Sequence, residues 1–220
     1  MRNENKMAKI KHHLTEELMI AYASGNLAES FSVAVATHIS LCDQCRAALE
    51  SYNAIGGALL EDTEGAALSS DALAKTMALI EQHPPEEKLQ AAKVSNVPAP
   101  LADYIGTDLD AIKWQPIGMG VKQSVLETTG AGSARLLYIP PGTAVPNHSH
   151  SGLELTLVLQ GAFADETDYF SRGDIEVATS DVSHTPVAAD GTSCICLAVT
   201  EAPLKFTGLL HKLMQPLLKI

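Results

Sequence analysis

Apolar residues in the first third of the chain recur every three to four positions, which is the spacing of one face of an α-helix. Leu14, Leu18 and Tyr22 form the first such stripe, and Gly25 follows where that helix is expected to end. A second, almost wholly apolar segment spans residues 29–40. The pattern therefore predicts two helices before the first cysteine.

Two further helices are predicted before residue 86. We place Asp43 at the N-cap of the third helix, and "EDTEG" ends its pattern. The fourth helix is expected to begin near Ser70 and to stop at Pro84, because proline breaks a helix. The third stripe is Ala48, Leu49, Tyr52, Ile55 and Leu59, and the fourth is Leu73, Met77 and Ile80.

The composition changes after residue 85. Residues 86–100 are polar and contain prolines, which is typical of a linker. Beyond them, short apolar runs such as "LELTLVLQG" and "SCICLAVT" are separated by Gly and Pro, the pattern of a small all-β sandwich or barrel. Residues 206–218 return to helical spacing, and this stripe has two candidate partners, the barrel and a second copy in a homodimer. The sequence predicts a two-domain protein: an all-α bundle (1–85), a linker (86–100), and an all-β domain with a helical tail (101–220).

Charge excludes some functions. The chain has 15 Lys and Arg against 26 Asp and Glu, a formal charge of −11, and both halves are acidic. Phosphate binding requires clustered cations, so direct contact with nucleic acid is disfavoured. We find neither a signal-peptide core nor an apolar run of membrane-spanning length, and we expect a cytoplasmic protein with no membrane contact. Its four cysteines should then be reduced and available to metals.

The segment "THISLCDQC" contains His38, Cys42 and Cys45. His38 and Cys42 are four residues apart and project from one helix face, while the C-x-x-C spacing lets two thiolates share an ion. Zn²⁺ prefers four tetrahedral nitrogen or sulfur ligands, and the fourth candidates are His12 and His13. The alternatives are a buried histidine with two small apolar cysteines, and a redox pair. The redox pair expects a βαβ setting, which the sequence does not predict.

These residues resemble the zinc-binding anti-sigma domains of bacteria, which carry a His…His-x3-Cys-x2-Cys pattern on a small helical bundle. In this sequence the pattern is His13, His38, Cys42 and Cys45. The resemblance implies a structural Zn²⁺ and binding of an extracytoplasmic-function (ECF) sigma factor. We expect Leu73, Met77 and Ile80 to contact that partner, although much of this stripe could instead be core.

A second cluster lies in "PPGTAVPNHSHSGLELTLVLQG". His148 and His150 are two apart and face one side of an extended strand, and Glu154 has the same parity. His184, on a later strand, is the natural fourth ligand. Two or three imidazoles with a carboxylate suit Zn²⁺, Mn²⁺, Fe²⁺ or Ni²⁺. Surface histidines in a loop are the less favoured interpretation.

The spacing G-x5-H-x-H-x3-E-x6-G resembles the first motif of the cupin family, which implies a jelly-roll barrel. The second cupin motif is kept at Gly173 and His184, whereas Thr179, Asp181 and Ala188 replace its usual Pro, Gly and Asn. Both motifs in one chain are similar to the ChrR-type anti-sigma factors. That resemblance implies repression of an ECF sigma factor, relieved by singlet oxygen or a related oxidant sensed through the barrel metal.

Cys194 and Cys196 lie two apart on one predicted strand. They are either small apolar residues of the barrel wall or an oxidisable pair near the metal.

The sequence is compatible with three functions. The preferred one is a non-enzymatic anti-sigma factor. The second is a dioxygenase-like cupin metalloenzyme with an accessory helical domain, and the third is a zinc-stabilised scaffold that binds a small ligand. The first metal site favours the regulator, because an oxygenase does not need His38, Cys42 and Cys45.

Overall fold

The computed structural model describes residues 9–82 and 95–202, together with the backbone of residues 205–206. In these ranges the N-terminal part is helical, as the apolar spacing predicts. The helices are α1 (Glu16–Ala23), α2 (Glu29–Leu41), α3 (Asp43–Glu61), α4 (Ala72–Gln82) and α5 (Ala99–Ile105), with a 3₁₀ turn at Leu109–Ala111.

Local chemistry explains where the first helices begin and end. Thr15 caps α1, since its side chain accepts a hydrogen bond from the N–H of Leu18. Gly25 has φ +70°, which lets the chain turn after α1. The predicted N-cap of α3 was wrong by one residue. Cys42 is the cap, because its Sγ accepts from the N–H of Cys45, whereas Asp43 is already helical and pairs with Arg46.

The C-terminal part is built from short antiparallel strands. They are β1 (Gln115–Gly118), β2 (Val121–Leu126), β3 (Ser133–Ile139), β4 (His148–Ser149), β5 (Glu154–Gln160), β6 (Ala162–Ala164), β7 (Tyr169–Ser171), β8 (Ile175–Ala178), β9 (Ser183–His184), β10 (Val187–Ala188), β11 (Cys194–Thr200) and β12 (Lys205–Phe206). They form a six-stranded sheet in the order β1-β2-β3-β11-β5-β8, and two three-stranded sheets in the orders β10-β6-β7 and β12-β4-β9.

Alternation along β5 and β11 divides the β domain into an inner and an outer face. On the inner side, Val158 and Cys194 pack with Phe163 of β6 and Phe170 of β7 in one buried cluster. On the outer side, the odd-numbered leucines of β5 are buried together with residues of α1, α2 and α5. Leu155 and Leu157 have no exposed surface. The helices and the large sheet therefore share one core.

The segment preceding the β domain also contributes to this core. Val97 is buried and α5 begins at Ala99, so the last residues of the predicted linker belong to the fold. Residues 86–94 lie outside the described residues, as do Pro84 and Pro85. The predicted helical tail also lies outside them from residue 207 onward. Phe206, predicted to begin that helix, pairs with His148 between β12 and β4, because its backbone completes the edge of a sheet.

Candidate metal centres

Four predicted ligands of the N-terminal part meet where α1, α2 and α3 converge. His38 lies on the last turn of α2, Cys42 lies between α2 and α3, and Cys45 lies on the first turn of α3. His13 precedes α1. One ligand atom from each of the four lies within 4.8 Å of the others, and the other three residues are buried around the half-buried His13. We refer to this group as the first centre.

The separations in the first centre suit a four-coordinate metal ion. Cys42 Sγ lies 3.3 Å from His13 Nδ1, Cys45 Sγ lies 3.7 Å from the same nitrogen, and His38 Nε2 lies 3.3 Å from Cys45 Sγ. Four ligands placed tetrahedrally at zinc bond lengths would be separated by about 3.3–3.8 Å. The soft donors and their spacing therefore fit a small tetrahedral ion.

The protonation states agree with this fit only when a cation is bound. Burial lowers the pKa of His38 to about 4, so its imidazole is neutral at pH 7 and can act as a ligand. Burial raises the pKa of Cys45 to about 11, which disfavours the thiolate. A metal ion supplies the positive charge that makes a buried thiolate favourable.

His13, not His12, reaches the first centre. The ring of His12 faces the β domain, where its Nε2 lies 3.0 Å from Asp168 Oδ2 and its ring centroid lies 4.3 Å from that of Phe170. Adjacent residues of an extended segment project to opposite sides, and only one of the two histidines can face the cysteines. The sequence left both open, because spacing alone does not fix which side this segment presents.

The second centre lies between β4, β9 and the start of β5. His148 and His184 are paired across β4 and β9, and His150 and Glu154 complete a fully buried group whose ligand atoms lie within 4.8 Å of one another. His184 Nε2 lies 3.2 Å from His148 Nε2 and 3.3 Å from His150 Nε2. These separations again match neighbouring ligands of one small ion.

Two imidazoles of the second centre, those of His148 and His184, are oriented through Nδ1. His148 Nδ1 donates to the carbonyl of Pro146, 3.0 Å away, and His150 Nδ1 lies 2.9 Å from Glu154 Oε2. His184 Nδ1 lies 2.8 Å from Asp165 Oδ2 and 3.0 Å from Glu176 Oε1. In His148 and His184, oxygen acceptors at Nδ1 leave Nε2 for a ligand, which is the usual outer arrangement of a histidine metal site. His150 Nδ1 and Glu154 Oε2 face each other without the geometry of a hydrogen bond.

Asp165 and Glu176 are residues of the second centre that our sequence analysis missed, and both contact His184. Glu176 offered a signal, because an acidic residue between Ile175 and Val177 in an apolar strand is rarely buried without a partner. Burial would lower the pKa of His184, but the hydrogen bonds and charges of Glu176 and Asp165 outweigh it and raise that pKa to about 9. A metal ion must therefore displace a proton from His184 at neutral pH.

Cys194 and Cys196 lie on the inner face of β11 and are fully buried as free cysteines. A hydrogen bond from Cys194 and burial both raise the pKa of Cys196 far above its usual value. The thiolate is the form of cysteine that oxidants attack most readily. The structure therefore places Cys196 on the inner face of the sheet in its less reactive form.

The predicted partner residues are exposed. Helix α4 has no buried residue, and Leu73, Met77 and Ile80 are 75%, 48% and 61% exposed. The C-terminal half of α3 adds Leu59 and Leu60, which are also exposed. We call these five residues the apolar patch. An isolated helix of this length is marginal in water, and exposed apolar surface of this kind is typical of binding sites. No helix in the described ranges is both long and apolar enough to cross a bilayer.

Comparisons with known proteins agree with this architecture. Residues 103–203 match the family of ChrR cupin-like domains. The chain is 52% identical over 211 residues to the anti-sigma-E factor ChrR of Cereibacter sphaeroides, which covers 96% of this chain and 99% of that protein. It is also similar to the crystal structure of Rhodobacter sphaeroides SigE in complex with the anti-sigma ChrR, with a TM-score of 0.79, 52% identity, and coverage of 87% of this chain and 99% of that one. The chain thus belongs to the ChrR family of anti-sigma factors, with a helical N-terminal region followed by a cupin-like β domain.

Proposed function

We propose that this chain is a cytoplasmic, non-enzymatic anti-sigma factor that sequesters an ECF-type sigma factor through its N-terminal helical domain (residues 1–85). The observation that carries the proposal is the exposed apolar patch on α3 and α4. In a chain 52% identical to a named anti-sigma factor, a sigma factor is the partner that this patch would bind. The similar ChrR structure was determined in complex with SigE.

The first centre has a structural role in this proposal. His13, His38, Cys42 and Cys45 would hold Zn²⁺ as a closed four-ligand site, which contributes folding free energy rather than chemistry. The residues tie the segment before α1 to the α2–α3 corner, and α3 continues from there to the apolar patch. The zinc would therefore fix the direction in which the patch-bearing helices leave the core.

The second centre would be the sensor. His148, His150, Glu154 and His184 would hold Zn²⁺ or another divalent transition metal inside the cupin-like domain, here assigned to residues 101–220 after a linker at 86–100. Singlet oxygen or a related oxidant would modify a ligand imidazole, change the coordination and release the sigma factor. We assign sensing to the ligands rather than to Cys194 and Cys196, because the high pKa of Cys196 keeps its thiol protonated.

A dioxygenase-like activity explains less of the molecule. It would account for the second centre, but it gives no role to the first centre or to the apolar patch. The regulatory proposal uses all three features.

The proposal is tested by in vitro transcription from a sigma-dependent promoter, first with SigE, the partner in the similar complex. The full chain should inhibit transcription when it is equimolar with SigE. Cys42→Ala should lose both one bound metal ion per chain and the inhibition, because an open three-ligand site no longer holds the α2–α3 corner. A folded, metal-loaded chain that binds no ECF-type sigma factor would refute the proposal.

A further inference from the structure

The first centre is contacted by the β domain, and the contact is made by the turn between β7 and β8. Gly173 has φ +92° in this turn, and a Cβ built there would lie 2.6 Å from Cδ1 of Ile10. The N-terminal segment therefore packs on this turn through the Ile10 side chain, and the positive φ favours glycine at position 173.

The carbonyl of Gly173 orients one ligand of the first centre. It accepts a hydrogen bond from His38 Nδ1 at 2.9 Å in a buried position. This bond fixes the tautomer, so the lone pair of Nε2 points toward Cys45 Sγ, 3.3 Å away. Outer contacts of this kind set the orientation and basicity of a metal-bound imidazole.

The carboxylate of Asp174 holds the segment that leads to a second ligand. Its Oδ1 accepts from the backbone N–H of Lys11 at 2.6 Å and of His12 at 3.0 Å. Its Oδ2 accepts from the N–H and the hydroxyl of Ser171, at 2.8 and 2.9 Å. Asp174 is fully buried and both of its oxygens are used, and the residue after His12 is the ligand His13.

The same segment reaches the second centre. Two residues after Asp174, Glu176 points to the inner side of the sheet, and its Oε1 lies 3.0 Å from His184 Nδ1. The stretch from Ser171 to Glu176 therefore contacts ligands of both centres.

We propose that residues 171–176 are a shared outer coordination shell, in which Asp174 and the Gly173 carbonyl position the ligands of the first centre so that the β domain sets its metal affinity. The inference rests on the proposed metal occupancy of the first centre. It assigns Asp174 as a positioning residue, since Asp174 touches no ligand side chain of the first centre and acts through the backbone that carries His13.

The test is Co²⁺ binding to the full chain, because only the first centre contains thiolates and only a thiolate site gives an intense sulfur-to-cobalt charge-transfer band. Asp174→Asn keeps the shape but loses one acceptor oxygen. We expect it to weaken Co²⁺ binding at the charge-transfer band by about 10–100-fold, the usual cost of losing an outer-shell partner. Binding at the nitrogen- and oxygen-ligated second centre should stay within about twofold, which a general loss of stability would not produce.

Two controls isolate the contact. Asp190→Asn makes the same change at an exposed position of the β domain and should leave the charge-transfer titration unchanged. Ile10→Ala loosens the N-terminal segment without altering the β domain, and it should also weaken Co²⁺ binding at the charge-transfer band. If Asp174→Asn does not fold, the Ile10→Ala result tests the inference in its place.

The failures are distinguishable. A wild-type chain without a charge-transfer band would overturn the proposed first centre and this inference with it. A normal wild-type titration with unchanged affinity in Asp174→Asn and Ile10→Ala would overturn the inference alone, and the proposed function would stand.

Discussion

Truncation of the apolar patch should weaken sigma-factor binding without affecting the stability of the free chain. Leu73 and Ile80 are 75% and 61% exposed on α4. Full burial of a Leu or Ile side chain stabilises by about 1.5–3 kcal/mol. Scaled by the exposed fractions, each side chain could contribute about 1–2 kcal/mol when a partner covers it.

Leu73→Ala and Ile80→Ala should each raise the Kd for SigE by about 5–30-fold, because every 1.4 kcal/mol is a factor of ten. Titration calorimetry measures the change. Thermal unfolding should move little, since exposed substitutions stay within about 0.5 kcal/mol and alanine favours a helix.

The matched control is Met119→Ala, a substitution of a side chain that is 66% exposed on the turn between β1 and β2. It removes comparable apolar surface from the β domain and should leave the Kd unchanged. If all three variants bind SigE within twofold of the wild type, α4 is not the sigma-binding surface and the reasoning from exposure is refuted.

Three further predictions follow from other parts of the molecule. His148→Ala should keep inhibition but blunt its release by singlet oxygen, and a normal response in a transcription reporter would remove the second centre from sensing. Hydrogen bonds from Thr129 and Tyr104 lower the pKa of Glu29 to about 2 from 4.5, so its contribution to stability is present above pH 4.5 and lost as the pH falls toward 2. Glu29→Gln should therefore flatten the decline of Tm between pH 5 and 3. An unchanged decline would contradict this prediction. Phe31 is buried in the core common to helices and sheet. Phe31→Ala should therefore reduce the free energy of unfolding by about 3–5 kcal/mol and lower the Tm of a single transition that both parts share. Two separate thermal transitions would contradict that expectation.

Most of the ligands could be proposed from local spacing, because three ligands of each centre lie close together in the sequence. A helical turn relates His38 to Cys42, and extended backbone relates His148 to His150, whereas Glu154 begins a separate strand. The structure brings these residues together as the spacing predicts. Asp165 and Asp174 carry no such periodic signal. Their partners are 19 and more than 160 residues away along the chain.

The alternation of side chains along β5 likewise predicts which of them lie on the outer face, but it does not predict which elements cover that face. The alternation predicts that Leu155, Leu157 and Leu159 face away from the second centre, and they do lie in the core shared with the helices. That α1 and α2, rather than a second subunit, cover this face depends on contacts between parts of the chain more than 100 residues apart. No local pattern encodes such pairing, since any amphipathic surface of the right size could serve.

The sequence by itself determined the first four helices, the β character of the C-terminal part and the two ligand motifs, but not α5 or the strand at Phe206. Period, parity and spacing are local properties of the backbone. Only the tertiary structure decided that His13 rather than His12 faces the cysteines, that α4 stays uncovered, and that the turn at Gly173 contacts the first centre. Each of these depends on which surfaces meet in three dimensions, where burial and hydrogen bonding select one arrangement among many that the local pattern allows.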